Sequence, residues 1–198
     1  FEKLGYTTVG INHLGDWGTQ FGKLIVAYRD WGSESEMAAA PIKHLYDLYV
    51  RFHQEAESNA NLDVRARAEF KKLEDGDPEN LALWKRFRDL SLDEFQRVYR
   101  RLGVAFDSYN GEAFFNDQLG PLIDRLQRSG VAKDGEDGAL VIPVGDQEEP
   151  PLLLRKSDGA TLYATRDIAA AEYRWGTYNF DQCLYIVGSA QALHFKQL

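Results

Sequence analysis

Cysteine is almost absent from this chain: Cys183 stands alone among 198 residues. No internal disulfide can form, and no cysteine-based metal cluster can be built. Apolar runs are short, and none approaches the roughly 20 residues that a membrane-spanning helix needs. Positive charge is also scarce, with 23 Lys+Arg against 31 Asp+Glu and a net charge of −8. The chain therefore lacks the broad basic footprint that phosphate backbones reward, and a nucleic-acid partner would have to be gripped elsewhere. With 17 Gly and 6 Pro, it is neither collagen-like nor low in complexity. No secretory or transit peptide opens the sequence. A folded domain in a reducing, cytoplasmic setting is expected, with no membrane partner. The chain starts at Phe1, has Met37 as its sole methionine and stops at Leu198 within a helix-like pattern, so a piece of a longer protein is expected.

Core material is plentiful: 4 Trp, 10 Tyr and 11 Phe. The β-branched stretch Tyr6-Thr-Thr-Val-Gly-Ile-Asn12 predicts a strand, the run Gly15-Asp-Trp-Gly18 a turn, and Phe21, Leu24, Ile25 and Tyr28 one face of a helix. A helical sub-domain is expected after Gly32, with Leu45, Leu48, Tyr49 and Phe52 on one stripe. Asp77-Pro78 marks one helix start, and Ser91-Leu-Asp-Glu94, a capping box, predicts another. Acids and bases interleave through this region, which suits a solvated face. Phe115, Leu119, Leu122, Ile123 and Leu126 predict a further helix ending near Gly130. Three short strands follow by pattern, at 139–142, 152–155 and 160–163, joined by an acidic loop and by an Asp158-Gly159 hairpin turn. From Thr165 the propensity is helical. Cys183-Leu-Tyr-Ile-Val187 reads as a strand buried on both faces of a parallel sheet, and Gly188-Ser189 turns it into a last helix.

Ligands of open parallel sheets sit where strands end and helices begin. Three such junctions are expected, at Asn12–Gly18, Tyr163–Asp167 and Gly188–His194, which carry among their polar groups Asn12, His13 and Gln191. Taken singly, each residue has an ordinary role. Asp167 would complement a helix dipole in the first turn, and Tyr163 would be a half-buried strand aromatic. His44 and His53 are about half a turn out of phase, so they share no face for a metal, and no metal site is expected.

Read together, Ile11-Asn-His-Leu-Gly-Asp-Trp-Gly-Thr-Gln-Phe-Gly22, Phe106-Asp-Ser-Tyr-Asn-Gly-Glu112, Lys156-Ser-Asp-Gly-Ala-Thr-Leu-Tyr-Ala-Thr-Arg-Asp167 and Val187-Gly-Ser-Ala-Gln-Ala-Leu-His-Phe195 resemble the arginyl-tRNA synthetases, a family of class I aminoacyl-tRNA synthetases. The resemblance implies an α/β fold: a partial Rossmann-type nucleotide-binding domain, formed by 1–32 and 158–198, interrupted at 33–157 by a mostly helical connective insertion with a small antiparallel meander. It implies formation of arginyl-adenylate from L-arginine and ATP, with Mg2+ accompanying the nucleotide, then transfer to tRNA(Arg). Tyr163, Asp167 and Gln191 then hold arginine, and Asn12, His13, Gly188 and His194 line the active site. No residue of this chain is expected to be catalytic. The His-x-Gly-His and Lys-Met-Ser-Lys type segments of the family are expected outside it, so the isolated chain is expected to be inactive. The alternative is a non-catalytic interaction module built on the helical insertion. Independently of any family, a buried pocket for a flat, permanently charged guanidinium should contain a carboxylate, and Asp167 suits that role.

Overall fold

The structure, a computed structural model, describes residues 1–145, 150–157 and 159–198. The chain forms two compact units, Phe1–Asn110 and Gly111–Leu198. Within the first of these units, the first long helix is buried by the helices that follow it.

In the first unit, a single 3-10 turn at Glu2–Leu4 precedes five helices: α1 (Thr19–Trp31), α2 (Glu34–Ala39), α3 (Pro41–Ala56), α4 (Asn61–Glu74) and α5 (Pro78–Leu102). Their ends follow local chemistry. The Ser33 hydroxyl accepts the Glu36 N–H at the start of α2, Pro41 opens α3, and the Asp77 carboxylate accepts the Asn80 N–H one residue before Pro78 begins α5. Gly103 closes α5 with a left-handed φ of 67°. Val26 and Ala27 of α1 pack with Leu48 and Phe52 of α3 and with Leu62 and Ala66 of α4. Ile25 joins Met37, Leu45 and Phe87 in a second cluster. Gly22 lets α1 and α4 meet backbone to backbone, since a Cβ there would lie 2.1 Å from the Ala66 carbonyl oxygen. Fully buried Asn80 is the polar pin of the unit. Its amide donates to the Glu69 carbonyl (2.8 Å) and carboxylate (2.9 Å), and its oxygen accepts from Arg29 (2.8 Å).

On the surface, Arg86 grips Glu34 through its two terminal guanidinium nitrogens, at 2.8 and 2.6 Å, and the Tyr28 hydroxyl also donates to Glu34. The hydrogen bonds from Arg86, then that from Tyr28, hold the Glu34 carboxyl down from its ordinary 4.5 to about 2. A carboxyl depressed on folding stabilises above its unfolded value, and that contribution fades as pH falls through the folded one. The stability advantage of wild type over Glu34→Gln should therefore be full above pH 4.5 and vanish toward pH 2. Denaturant midpoints of the two proteins across that window check this, and high salt should shrink the difference because the pair is exposed.

The second unit contains a 3-10 turn at Glu112–Phe115, α6 (Asn116–Arg128), β1 (Lys133–Asp134), a 3-10 turn at Glu136–Gly138, β2 (Leu140–Ile142), β3 (Leu152–Arg155), α7 (Tyr163–Tyr178), a 3-10 turn at Ser189–Gln191 and α8 (Ala192–Gln197). The strands form an antiparallel sheet in the order β1-β2-β3. Val141 pairs with Leu153 and Ile142 with Leu152, and the register slips between Leu140 and Val141. Leu140, Leu152 and Leu154 pack with Phe115, Leu119, Leu122, Ile123 and Leu126 below and with Ala164, Ala169 and Ala170 of α7.

Several sequence expectations need correction. The described residues form a mostly helical architecture with one small antiparallel sheet, and no parallel sheet is present among them. The segment 6–12 makes no strand: only an isolated parallel bridge joins Ile11 to Ser108. The expected buried strand 183–187 has no pairing partner among the described residues either, and Ile186 is 93% exposed. Both segments carry strand propensity, which becomes a strand only where another lies alongside to take its hydrogen bonds. Ser91 does not start a helix. Its hydroxyl donates back to the Phe87 carbonyl at 2.8 Å, and α5 runs straight through it. The third expected strand, 160–163, reduces to a bridge between Thr161 and Arg155, while Tyr163 already opens α7. The meander's actual third strand is β1, where no apolar alternation announces it. Residues 146–149 of the expected acidic loop and Asp158 of the expected hairpin turn lie outside the described residues.

Candidate functional site

The start of α7 is fixed from beneath. The Thr165 hydroxyl, fully buried, donates to the Leu154 carbonyl of β3 at 2.6 Å, and the Leu162 N–H reaches the same oxygen at 3.3 Å. Ala164, Thr165 and Arg166 are buried, and Arg166 also donates from Nε to Asn116 Oδ1 at 3.2 Å. Tyr163 and Asp167, four residues apart, therefore neighbour each other on the flank of α7 that its core contacts leave over. Tyr163 is 53% exposed, whereas the Asp167 side chain is only 13% exposed.

From α8, His194 closes over this pair. Its Nε2 lies 2.6 Å from Asp167 Oδ2, and its ring meets the Tyr163 ring edge to face at 4.7 Å and that of Phe195 at 4.8 Å. An ionised carboxylate only accepts, so Nε2 carries the hydrogen. The structure thus brings together Tyr163, Asp167 and His194. Gln191 is exposed, and its N–H closes the 3-10 turn on the Gly188 carbonyl (2.9 Å), three residues before His194. Gly188 is extended and exposed, at φ −68° and ψ 149°.

Asp167 is the fifth residue of α7, and the first turn of that helix holds no acid. The dipole role expected for it is thereby corrected, because the helix begins at Tyr163 rather than after it. Tyr163 is likewise a helical residue and not a strand aromatic.

Behind the site, Arg174 lies over the Tyr185 ring at 5.7 Å. Burial, with Cys183 adding to it, pushes the Tyr185 phenol above its ordinary value. Cys183 therefore sits beside a half-buried phenol, in keeping with a packing role.

Asn12 and His13 belong to the first unit. The Gly10 N–H donates to Asp107 Oδ2 at 2.7 Å, and the Asn12 amide donates to the Tyr99 hydroxyl at 2.8 Å. His13 Nδ1 donates to the Asn110 carbonyl at 3.2 Å. His13 opens onto a cavity of about 320 Å³ shared with Phe21, Phe95 and the ion pair Asp16–Arg88, whose atoms meet at 2.7 Å. Arg88 had no sequence signal, since it stands 72 residues from its partner. Among the described residues, no group of three His, Cys, Asp or Glu side chains converges to hold a metal. No helix among them is long and apolar enough to cross a membrane.

A largely buried carboxylate beside an aromatic ring, hydrogen-bonded by a histidine of α8, has the chemistry to bind a small cation. The chain belongs to the class I tRNA synthetases: residues 1–198 match the family described as "tRNA synthetases class I (R), catalytic domain". Over 197 residues it is 59% identical to the arginine–tRNA ligase of Exiguobacterium sibiricum and 54% identical to that of Lactobacillus acidophilus, in each case covering all of this chain and 35% of the relative. The arginyl-tRNA synthetase structure from Plasmodium falciparum superposes with a TM-score of 0.80 at 27% identity, over 99% of this chain and 33% of that one. The chain thus spans about a third of the length of the relatives it matches.

Proposed function

We propose that the protein containing this chain is an arginine–tRNA ligase, which activates L-arginine with ATP to arginyl-adenylate and transfers the arginyl group to tRNA(Arg). The observation that carries this reading is Asp167. It is a carboxylate largely withdrawn from water, with no helix-dipole role, flanked by Tyr163 and bonded by His194. A guanidinium offers a planar fork of donors that one carboxylate can accept in parallel, and the Tyr163 ring supplies a flat wall for it. Gln191, which can donate and accept, suits the α-amino and α-carboxylate groups of the same substrate. Gly188 and His194 line this pocket. Asn12 and His13 are assigned to the active-site lining through the family resemblance.

In the first step, the arginine carboxylate oxygen attacks the α-phosphorus of ATP. A P–O bond forms there as the bond to the pyrophosphate leaving group breaks, so no protein nucleophile is required. The part of this chain is positioning: holding the guanidinium fixes the far end of the substrate and so limits where its carboxylate can lie. Mg2+ would be carried on the nucleotide's phosphates and water, since the described residues offer no cage for it. In this reading 1–32 and 158–198 are parts of a Rossmann-type domain and 33–157 is its connective insertion. The extended segment ending at Gly188 just before a helical turn supports that assignment. A cytoplasmic location follows from the chemistry of protein synthesis.

The test is pyrophosphate exchange into ATP by the full-length protein, with tRNA present, against arginine, lysine and citrulline. Exchange should depend on arginine, with a preference on the order of a hundredfold or more over the other two, because citrulline would leave the carboxylate without a charged partner. Equal exchange with lysine, or none with any of the three, would remove this function.

A further inference from the structure

We propose that His194 is a positioning residue for arginine recognition, acting on the substrate only through Asp167 and Tyr163. The inference rests on the reading of this pocket as the arginine site and adds a role to one of its lining residues. An aspartate carboxylate sits on two rotatable side-chain bonds, so its plane depends on what it is bonded to. A planar guanidinium, by contrast, is bound best by a carboxylate whose plane is already set. His194 sets it, because its Nε2–H donates to Asp167 Oδ2 at 2.6 Å.

The imidazole is itself immobilised. It is 6% exposed and meets the rings of Tyr163 (4.7 Å) and Phe195 (4.8 Å) at 66° and 67°. One residue of α8 therefore fixes both elements of the pocket on α7, the acid by a hydrogen bond and the aromatic wall by a ring edge. A histidine serves where a lysine or arginine would not. A lysine or arginine would set a permanent cation against the carboxylate in competition with the incoming guanidinium, and neither offers a short rigid ring to pack against Tyr163.

The experiment uses the full-length enzyme with tRNA and compares His194→Ala, His194→Phe and His194→Gln for the KM of arginine, the KM of ATP and kcat. Phenylalanine keeps a ring against Tyr163 and removes the donor, and glutamine keeps a donor. The arginine KM should rise about tenfold in the Ala and Phe variants, the loss of one charge-assisted hydrogen bond. The ATP KM and kcat should stay within about threefold, and glutamine should bring the arginine KM back to within about threefold of wild type. In an Asp167→Asn background, His194→Phe should add nothing to the arginine KM, since the two act as one unit. An unchanged arginine KM in His194→Phe, additivity in that double variant, or parallel damage to all three constants without rescue by glutamine would overturn the proposal. If Asp167→Asn alone left the arginine KM unmoved, the arginine-site reading itself would fall. If Asp167→Asn raised it and His194→Phe did not, only the role of His194 would.

Discussion

Asp167→Ala in the full-length enzyme should raise the KM for arginine roughly a hundredfold and lower arginine-dependent pyrophosphate exchange at least as much. Removing one partner of a largely buried, hydrogen-bonded charge pair costs about 3–5 kcal/mol, and each 1.4 kcal/mol is about a factor of ten. The Asp167 side chain retains 13% exposure, so water can partly replace it, which favours the lower end of that range. Asp167→Asn keeps the shape and loses the charge, and should be nearly as severe. Asp167→Glu keeps the charge but pushes it one methylene further, and should fall between. The ATP KM should move little in all three. The anchoring of α7 rests on Ala164, Thr165 and the Leu154 carbonyl rather than on Asp167, so the variants should unfold within about 1–2 kcal/mol of wild type, the cost of leaving His194 without that acceptor. Wild-type exchange in the alanine variant would take Asp167 out of the pocket and leave the family assignment without its substrate-binding acid.

The parts of this architecture legible in the sequence are those specified by neighbours along the chain. Of the stripe Leu45, Leu48, Tyr49 and Phe52, the leucines and Phe52 are buried as the helical period predicts while Tyr49 stays 37% exposed, and the Asp77-Pro78 start is capped as its chemistry predicts. Where the outcome depends on a partner distant in sequence, local signals mislead. Ser91-Leu-Asp-Glu94 has the composition of a capping box, but the amphipathic pattern continues through it, so the hydroxyl bonds backward to Phe87 and α5 reaches 25 residues. The apolar run ending at Val187 has strand propensity and, among the described residues, no strand beside it. The acid in the candidate site is legible from the family motif and from the needs of a guanidinium. Its pairing with His194 is not, because 27 residues separate the two and no local pattern links them. The same holds for the ion pair Asp16–Arg88. Composition names the residue types a cation site needs, but the direction in which each points is settled only by packing.

That dependence on close packing gives the second large effect: Gly22→Ala should destabilise the chain by about 3 kcal/mol. Helix propensity alone argues the opposite, since alanine is favoured over glycine within a helix by about 1 kcal/mol. Against it stands geometry that cannot yield cheaply. The added Cβ would lie 2.1 Å from the Ala66 carbonyl oxygen, 2.8 Å from Phe70 Cβ and 3.0 Å from the Phe70 backbone nitrogen. Two of these three neighbours are main chain of α4, and no rotamer change relieves them. The helices must separate, which costs the overpacking typical of a filled core and also loosens Val26 and Ala27 from Leu62 and Ala66. Gly176→Ala in α7 is the matched control, because no atom lies within 4 Å of a Cβ built there. That change should instead stabilise by about 0.5–1 kcal/mol through propensity and the lost freedom of the unfolded chain. Opposite signs for the two variants in denaturant unfolding are expected. A stabilised Gly22→Ala would mean that α1 and α4 do not touch here. Because α1 directly follows the loop bearing His13 and Asp16, the same substitution should also widen the cavity that these two residues share with Arg88 and Phe21.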